Sequence, residues 1–163
     1  MIRLPNTSAY ALLFFGALSA GIVPLPASSQ LTTEEANFLL VDSGAQAIAI
    51  ADEFDMPTGK VLRFNEADVA TLIAHPPMAD YADTSADDPG YLVYTSGTSG
   101  QPKGVLHAHR AAWGRRPMYQ GWYGIRVDDV MLHAGAFNWT YTLGVGLTDP
   151  WANGANSGLS LGV

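Results

Sequence analysis

Ten consecutive residues, Thr95-Ser96-Gly97-Thr98-Ser99-Gly100-Gln101-Pro102-Lys103-Gly104, bring together four hydroxyls, three glycines and one lysine. Glycine lets a backbone turn its amides toward a ligand at dihedral angles other residues avoid, hydroxyls donate to phosphate oxygens, and a lysine adds a mobile positive charge. The chemistry of such a stretch is that of a polyphosphate cradle. It is not a Walker loop: no glycine stands five positions before Gly100, and no Lys-Ser or Lys-Thr pair follows it. Pro102 stiffens the turn immediately ahead of Lys103 and narrows the region its ammonium can reach.

Other constellations carry less chemistry. His107 and His109 lie two apart, so on a strand they would face the same way and could share a metal. Only His75 and His133 could join them, and the chain has no cysteine, so metal ligation is disfavoured. Arg110, Arg115 and Arg116 are interleaved with Trp113, Tyr119, Trp122 and Tyr123, a mixture that could stack and neutralise single-stranded nucleic acid. At helical spacing the same residues read as core aromatics with arginines on the wet face, which is the expectation here. Asp128-Asp129 reads as a turn into the strand Val130 to Leu132.

The elements that must position the loop follow from local pattern. Tyr91-Leu92-Val93-Tyr94 is a compact β-prone run leading straight into it. Asn6, Thr7 and Ser8 are suitable caps for a helix over the apolar stretch Ala11 to Val23, with Gly21 placed to end it in a left-handed conformation. Ile22 to Pro26 reads as a short strand whose prolines suit an edge. Thr32 and Glu35 form a capping box for a helix running to Ser43 and stopping at Gly44. Ala47 to Ala51 and Val61 to Phe64 read as buried strands, and His75 to Pro89 as a solvated connection. Helices alternating with strands imply an α/β fold with a mostly parallel sheet flanked by helices.

Composition bounds the rest. With 163 residues, 48% apolar and only 14% charged, the chain can bury a core as one domain. The absence of cysteine excludes disulfides, thiolate metal sites and a cysteine nucleophile. Net charge is −7, but residues 1–90 hold 3 basic and 12 acidic side chains while 91–163 hold 5 and 3. That acidic balance disfavours a nucleic-acid partner and leaves the back half as the place for an anionic ligand. The N-terminal apolar run resembles a signal peptide superficially, but it is too short to span a bilayer, which needs ~20 residues. It reads as a buried helix with no stable membrane span, and the expected location is cytoplasmic.

The segment YTSGTSGQPKG, Tyr94 to Gly104, resembles the signature of the AMP-forming acyl-CoA synthetases and their adenylate-forming relatives, a strand followed by TSG-[ST]-[ST]-G-x-PKG, at every specified position. The likeness extends upstream over Phe14 to Ala45 and downstream over His133 to Trp139 and Asp149 to Ala155. The resemblance implies part of the large N-terminal domain of an adenylate-forming enzyme, with a phosphate loop at 94–104 and an acyl-pocket segment at 133–155. It assigns Thr95, Ser96, Thr98, Ser99 and Lys103 to phosphate contact, Gly97, Gly100 and Gly104 to backbone shape, and Trp139 to the carboxylic-acid side. The implied function is that of an acid–CoA ligase using a small-molecule carboxylic acid, ATP, Mg²⁺ and CoA. The alternative is a non-catalytic nucleotide or polyphosphate binder. Family members are several-fold longer, and their catalytic lysine lies in a C-terminal domain, so Lys103 is not that residue. The chain is therefore expected to be a truncated or frameshifted partial adenylation domain, inactive by itself. Its Gly- and Ser-rich tail, 156–163, stands off-pattern where a β-branched strand would be expected.

Overall fold

The computed structural model describes residues 1–77, 80–97 and 100–159. A three-stranded parallel sheet forms from β1 (Ile2–Arg3), β2 (Ala47–Ile50) and β3 (Leu62–Phe64), in that spatial order. Its register pairs Ile2 with Ala49 and Ala49 with Phe64. The central strand is buried on both faces, with Ile48 and Ile50 inaccessible to water, as an Ala/Ile run in a covered parallel sheet should be. Beyond β3, an antiparallel hairpin is made by β4 (Pro89–Thr95) and β5 (Lys103–Ala108), and a second parallel pair by β6 (Val130–Leu132) and β7 (Asn156–Gly158). Pairing is thus mostly parallel within an α/β fold, as the alternation of elements implied.

Helix α1 (Ser8–Ser19) holds the centre. Its Tyr10, Ala11 and Phe14 share one buried cluster with Ile2 and Leu4 of the first strand region, Ala49 and Ala51, Val69, and Phe137, Leu143 and Leu147 from the far end of the chain. The N-terminal apolar run is therefore a core helix, and no helix among the described residues is long and apolar enough to cross a membrane. Helix α2 (Thr33–Ser43) begins with the expected capping box: the Glu35 amide donates to the Thr32 hydroxyl at 3.2 Å and the Thr32 amide returns to the Glu35 carboxylate at 2.8 Å. Gly21 and Gly44 close α1 and α2 in left-handed conformations.

The structure departs from the sequence reading in several places. Ile22 to Pro26 is not a strand. Ile22 and Val23 are exposed, and only Pro26 bridges to Ile2, because prolines at alternate positions 24 and 26 leave too few amides for a ladder. Among the unpredicted elements are β1, hidden in the three residues that look like a leader, and α3 (Glu66–Ala74), whose own capping box joins Asn65 and Asp68. The region after His109 is not one amphipathic helix. It breaks into α4 (Arg110–Gly114), α5 (Arg116–Met118) and one wide π-helical turn at Tyr119–Tyr123. The break splits the expected faces: Tyr119 is buried with Tyr123 packed beside it and Arg110 and Arg116 are exposed, as expected, but Trp113 and Trp122 are 69% and 75% exposed and Arg115 turns inward. Arg116 lies over the Trp113 ring, 3.8 Å from its centre. In the tail, Asn156–Gly158 does pair with β6 despite its small residues, anchored by the Asn156 amide donating to Asp129 O at 2.9 Å. The end of that tail, 160–163, lies outside the described residues.

Arg115 forms a two-pronged ion pair with Asp149, Nε to Oδ1 at 2.7 Å and a terminal nitrogen to Oδ2 at 2.5 Å, and the carboxylate is wholly buried. Asp149 opens α7 (Asp149–Ala152), which continues α6 (Thr140–Leu143) through a second π turn, Gly144–Thr148. A side chain at Gly144 would collide with the Arg115 guanidinium, so that glycine makes room for the bridge.

Two outcomes follow from these contacts. Arg115→Ala leaves a buried carboxylate without its partner and should cost ~3–5 kcal/mol in urea unfolding, whereas pairing Arg115→Met with Asp149→Leu should recover most of it. Hydrogen bonds from the Thr32 amide and then its hydroxyl hold the Glu35 carboxyl below its ordinary range. A carboxyl depressed in the folded state stabilises above its unfolded value, and that contribution disappears as pH falls through the folded value. The difference in urea midpoint between the native chain and Glu35→Gln should accordingly be present at pH 7 and shrink away as pH falls through the depressed folded-state value.

Candidate phosphate loop and acyl-side segment

The loop is the tip of the β4–β5 hairpin. Thr95 pairs with Lys103 and Tyr94 with Gly104, so Lys103 and Gly104 belong to a strand and the turn itself runs from 96 to 102. The sequence reading placed both residues in the loop. The antiparallel return was missed because Pro-Lys-Gly reads as turn chemistry, while Val105, Leu106 and His107 alone are too short a β-prone signal. Thr95, Ser96, Gly100 and Lys103 are exposed. Thr98 and Ser99 lie outside the described residues.

Packing on both sides of the stem fixes how the tip is presented. Gly97 sits at φ +55°, and a methyl group built there would stand 2.5 Å from the Gln101 carbonyl oxygen. Gly104 lies under its cross-strand neighbour, where an added carbon would meet the Tyr94 ring at 3.3 Å and Leu92 at 3.2 Å. The Tyr94 hydroxyl donates to the Asp42 carboxylate of α2 at 2.7 Å, and its ring meets Phe38 edge-on at 6.5 Å. Desolvation, and then the Asp42 charge, push the Tyr94 hydroxyl well above its ordinary value, so it remains a donor. Asp42 escaped the sequence reading because its partner is 52 residues away.

His107 belongs to β5 and stacks on Tyr91, ring centres 4.5 Å apart and planes 8° from parallel. Burial lowers its pKa, which favours a neutral ring. His109 precedes α4, and its amide donates to Asp88 O at 3.1 Å. Among the described residues no group of three or more His, Asp or Glu side chains converges as a metal site.

The second candidate region, 133–155, reaches the surface at Trp139, which caps α6 and is 66% exposed. Ahead of it, His133 Nδ1 accepts the Gly135 amide at 3.2 Å and lies 3.0 Å from the Thr142 hydroxyl. Behind it, Thr142 to Leu147 are buried. An apolar cavity of about 310 Å³, lined by Phe14, Phe15, Leu18, Tyr91 and Trp151 among others, includes neither the loop residues nor Trp139.

The chain belongs to the AMP-binding enzyme family, whose model matches residues 1–162. It is 33% identical to the 4-hydroxybenzoate–CoA/benzoate–CoA ligase of Rhodopseudomonas palustris, over 94% of this chain and 32% of that protein. It is 31% identical to the benzoate–CoA ligase of Thauera aromatica, over 88% of this chain and 30% of that one. The crystal structure of a benzoate CoA ligase from Burkholderia xenovorans LB400 superposes with a TM-score of 0.88 at 28% identity, covering 98% of this chain and 34% of the other. An anthranilate CoA ligase in complex with anthranoyl-AMP shares the fold, with a TM-score of 0.85 at 22% identity over 99% of this chain and 35% of that one. The chain spans about a third of the length of the curated relatives it matches.

The crowding at Gly97 makes the loop testable. Gly97→Ala should displace Gln101 and Lys103, seen as amide shifts across residues 100–104 in a ¹⁵N spectrum, while the Leu92–Leu106 pair stays unperturbed. A spectrum changed only at residue 97 would contradict the close approach.

Proposed function

We propose that this chain forms the phosphate-gripping and acid-facing part of an acid–CoA ligase. In that reaction a carboxylate oxygen attacks the α-phosphorus of ATP, the bond to the bridging β-phosphate oxygen breaks, and pyrophosphate leaves. The CoA thiol then attacks the acyl-AMP carbonyl and AMP departs. The observation that carries the reading is the hairpin: its tip holds Ser96, Gly97 and Gly100, and its stem sets Lys103 directly across from Thr95. Family membership and the names of the relatives support it.

In this reading Thr95, Ser96, Thr98 and Ser99 donate hydroxyls to the β- and γ-phosphate oxygens, and Lys103 neutralises charge as it builds on the leaving pyrophosphate. Gly97, Gly100 and Gly104 shape the backbone. Donors fixed in advance stabilise such charge without reorganising during the step. Trp139 faces the acid. CoA and ATP enter as substrates. Mg²⁺ is expected with the nucleotide, but no described group of three or more His, Asp or Glu side chains would cage it, so no step is assigned to it. A second reading, a polyphosphate binder without catalysis, draws on the fact that one hairpin carries all the loop residues.

The test is a chimera in which this chain replaces the matching third of the R. palustris ligase. Lys103→Ala removes a charge-assisted hydrogen bond worth roughly 1.5–3 kcal/mol, so use of ATP should fall about ten- to a hundredfold. Trp139→Ala should change which acids are accepted and leave ATP affinity almost untouched. Full-rate adenylation by Lys103→Ala, or loss of ATP binding in Trp139→Ala, contradicts the division of labour. ATP binding without acid-dependent pyrophosphate exchange in the unmutated chimera leaves the binder reading.

A further inference from the structure

Asn6 stands just before α1, where its side chain would ordinarily cap the helix, yet Thr7 is the cap residue and makes no side-chain hydrogen bond there. The Asn6 carboxamide instead reaches 129 residues along the chain. Its Nδ2 donates to the Gly135 carbonyl at 2.9 Å, and its Oδ1 accepts the Phe137 amide at 3.0 Å. An amide side chain gripping a carbonyl and the amide two residues later imitates a neighbouring β-strand, and it satisfies both polar groups of a partly buried segment. Phe137 is thereby held in the core, its ring 5.5 Å from that of Tyr10. Two residues on, the Trp139 amide donates to Ala136 O at 3.0 Å, so the same short arch sets where the indole emerges.

We propose that Asn6 is a positioning residue for Trp139, fixing through Gly135 and Phe137 the arch that presents the indole to the carboxylic-acid substrate. The part of this inference that names the acid rests on the reading of Trp139 given above. Neither His133 nor Thr142 substitutes for the clasp: His133 Nδ1 takes the Gly135 amide and neighbours the Thr142 hydroxyl, whereas Asn6 holds the Gly135 carbonyl and the Phe137 amide. An aspartate could keep only the acceptor half, and a leucine of similar size neither half.

The experiment uses the 163-residue chain and amide hydrogen exchange followed by NMR. Asn6→Leu keeps the volume and removes both hydrogen bonds. It should speed exchange at Phe137 and Trp139 about tenfold or more and shift the Trp139 indole resonance, leaving the core amides of Tyr10 and Phe14 unchanged. Asn6→Asp should retain slow exchange at Phe137. In the unmutated protein a through-hydrogen-bond coupling should link the Phe137 amide nitrogen to the Asn6 side-chain carbonyl carbon, a signature that needs no variant to fold. No coupling, an unmoved Trp139 resonance in Asn6→Leu, or equal acceleration of every core amide overturns the proposal. Titration of the unmutated chain with benzoate tests the acid reading separately: an indole that does not respond to benzoate counts against Trp139 as an acid-facing residue, and the exchange data still decide the role of Asn6.

Discussion

Burial of one face of α1 is the constraint on which the rest of the molecule depends. Tyr10 and Phe14 are withdrawn almost completely from water, and each such side chain contributes roughly 1.5–3 kcal/mol through the surface it hides. Their neighbours come from β1 and β2 on one side and from Phe137, Leu143 and Leu147 on the other. Residues near the two ends of the chain thus meet on a helix formed close to its start. The segment between β6 and β7 gains little from their pairing, because both strands are short and Val130 and Leu132 are exposed. It is held by α1 and by the Arg115–Asp149 bridge.

The loop is supported differently. The antiparallel stem ties residues 95 and 103 together and leaves Ser96, Gly100 and Gln101 exposed. Tyr94 then fastens the stem to α2 through Asp42 and Phe38. Gly104 lets that ring lie flat against the opposite strand, so its value to the motif is close packing rather than backbone freedom.

Much of this was legible in the residues. The Thr32–Glu35 box, the stop at Gly44, the Ala47 strand and the strand leading into the loop all rest on interactions within a few positions, where pattern and geometry coincide. What escaped was set by distance or by brevity. Strand β1 has only two residues and is recognisable as a strand only beside Ala49 and Ile50. Asp42, Arg115 and Asp149 acquire their roles from partners 34 to 52 residues away. The faces of Trp113 and Trp122 were misread because a 3.6-residue period was extended through a segment that breaks twice and widens into a π turn. The box at Asn65 and Asp68 is local too, but the nine-residue helix it starts runs directly into the polar connection at His75 and so reads as part of it.

The four tryptophans give the molecule an unusual optical character. Trp113, Trp122 and Trp139 are largely in solvent, and Trp151, 41% exposed, stacks on Phe15 with ring centres 4.9 Å apart. Indole emission from the folded chain will therefore already be shifted to the red, and unfolding will change its colour little. Fluorescence, the usual gauge of whether a protein of this size has folded, would here report on the surface, while the buried Tyr10 and the Tyr91–His107 stack record the state of the interior through near-ultraviolet circular dichroism.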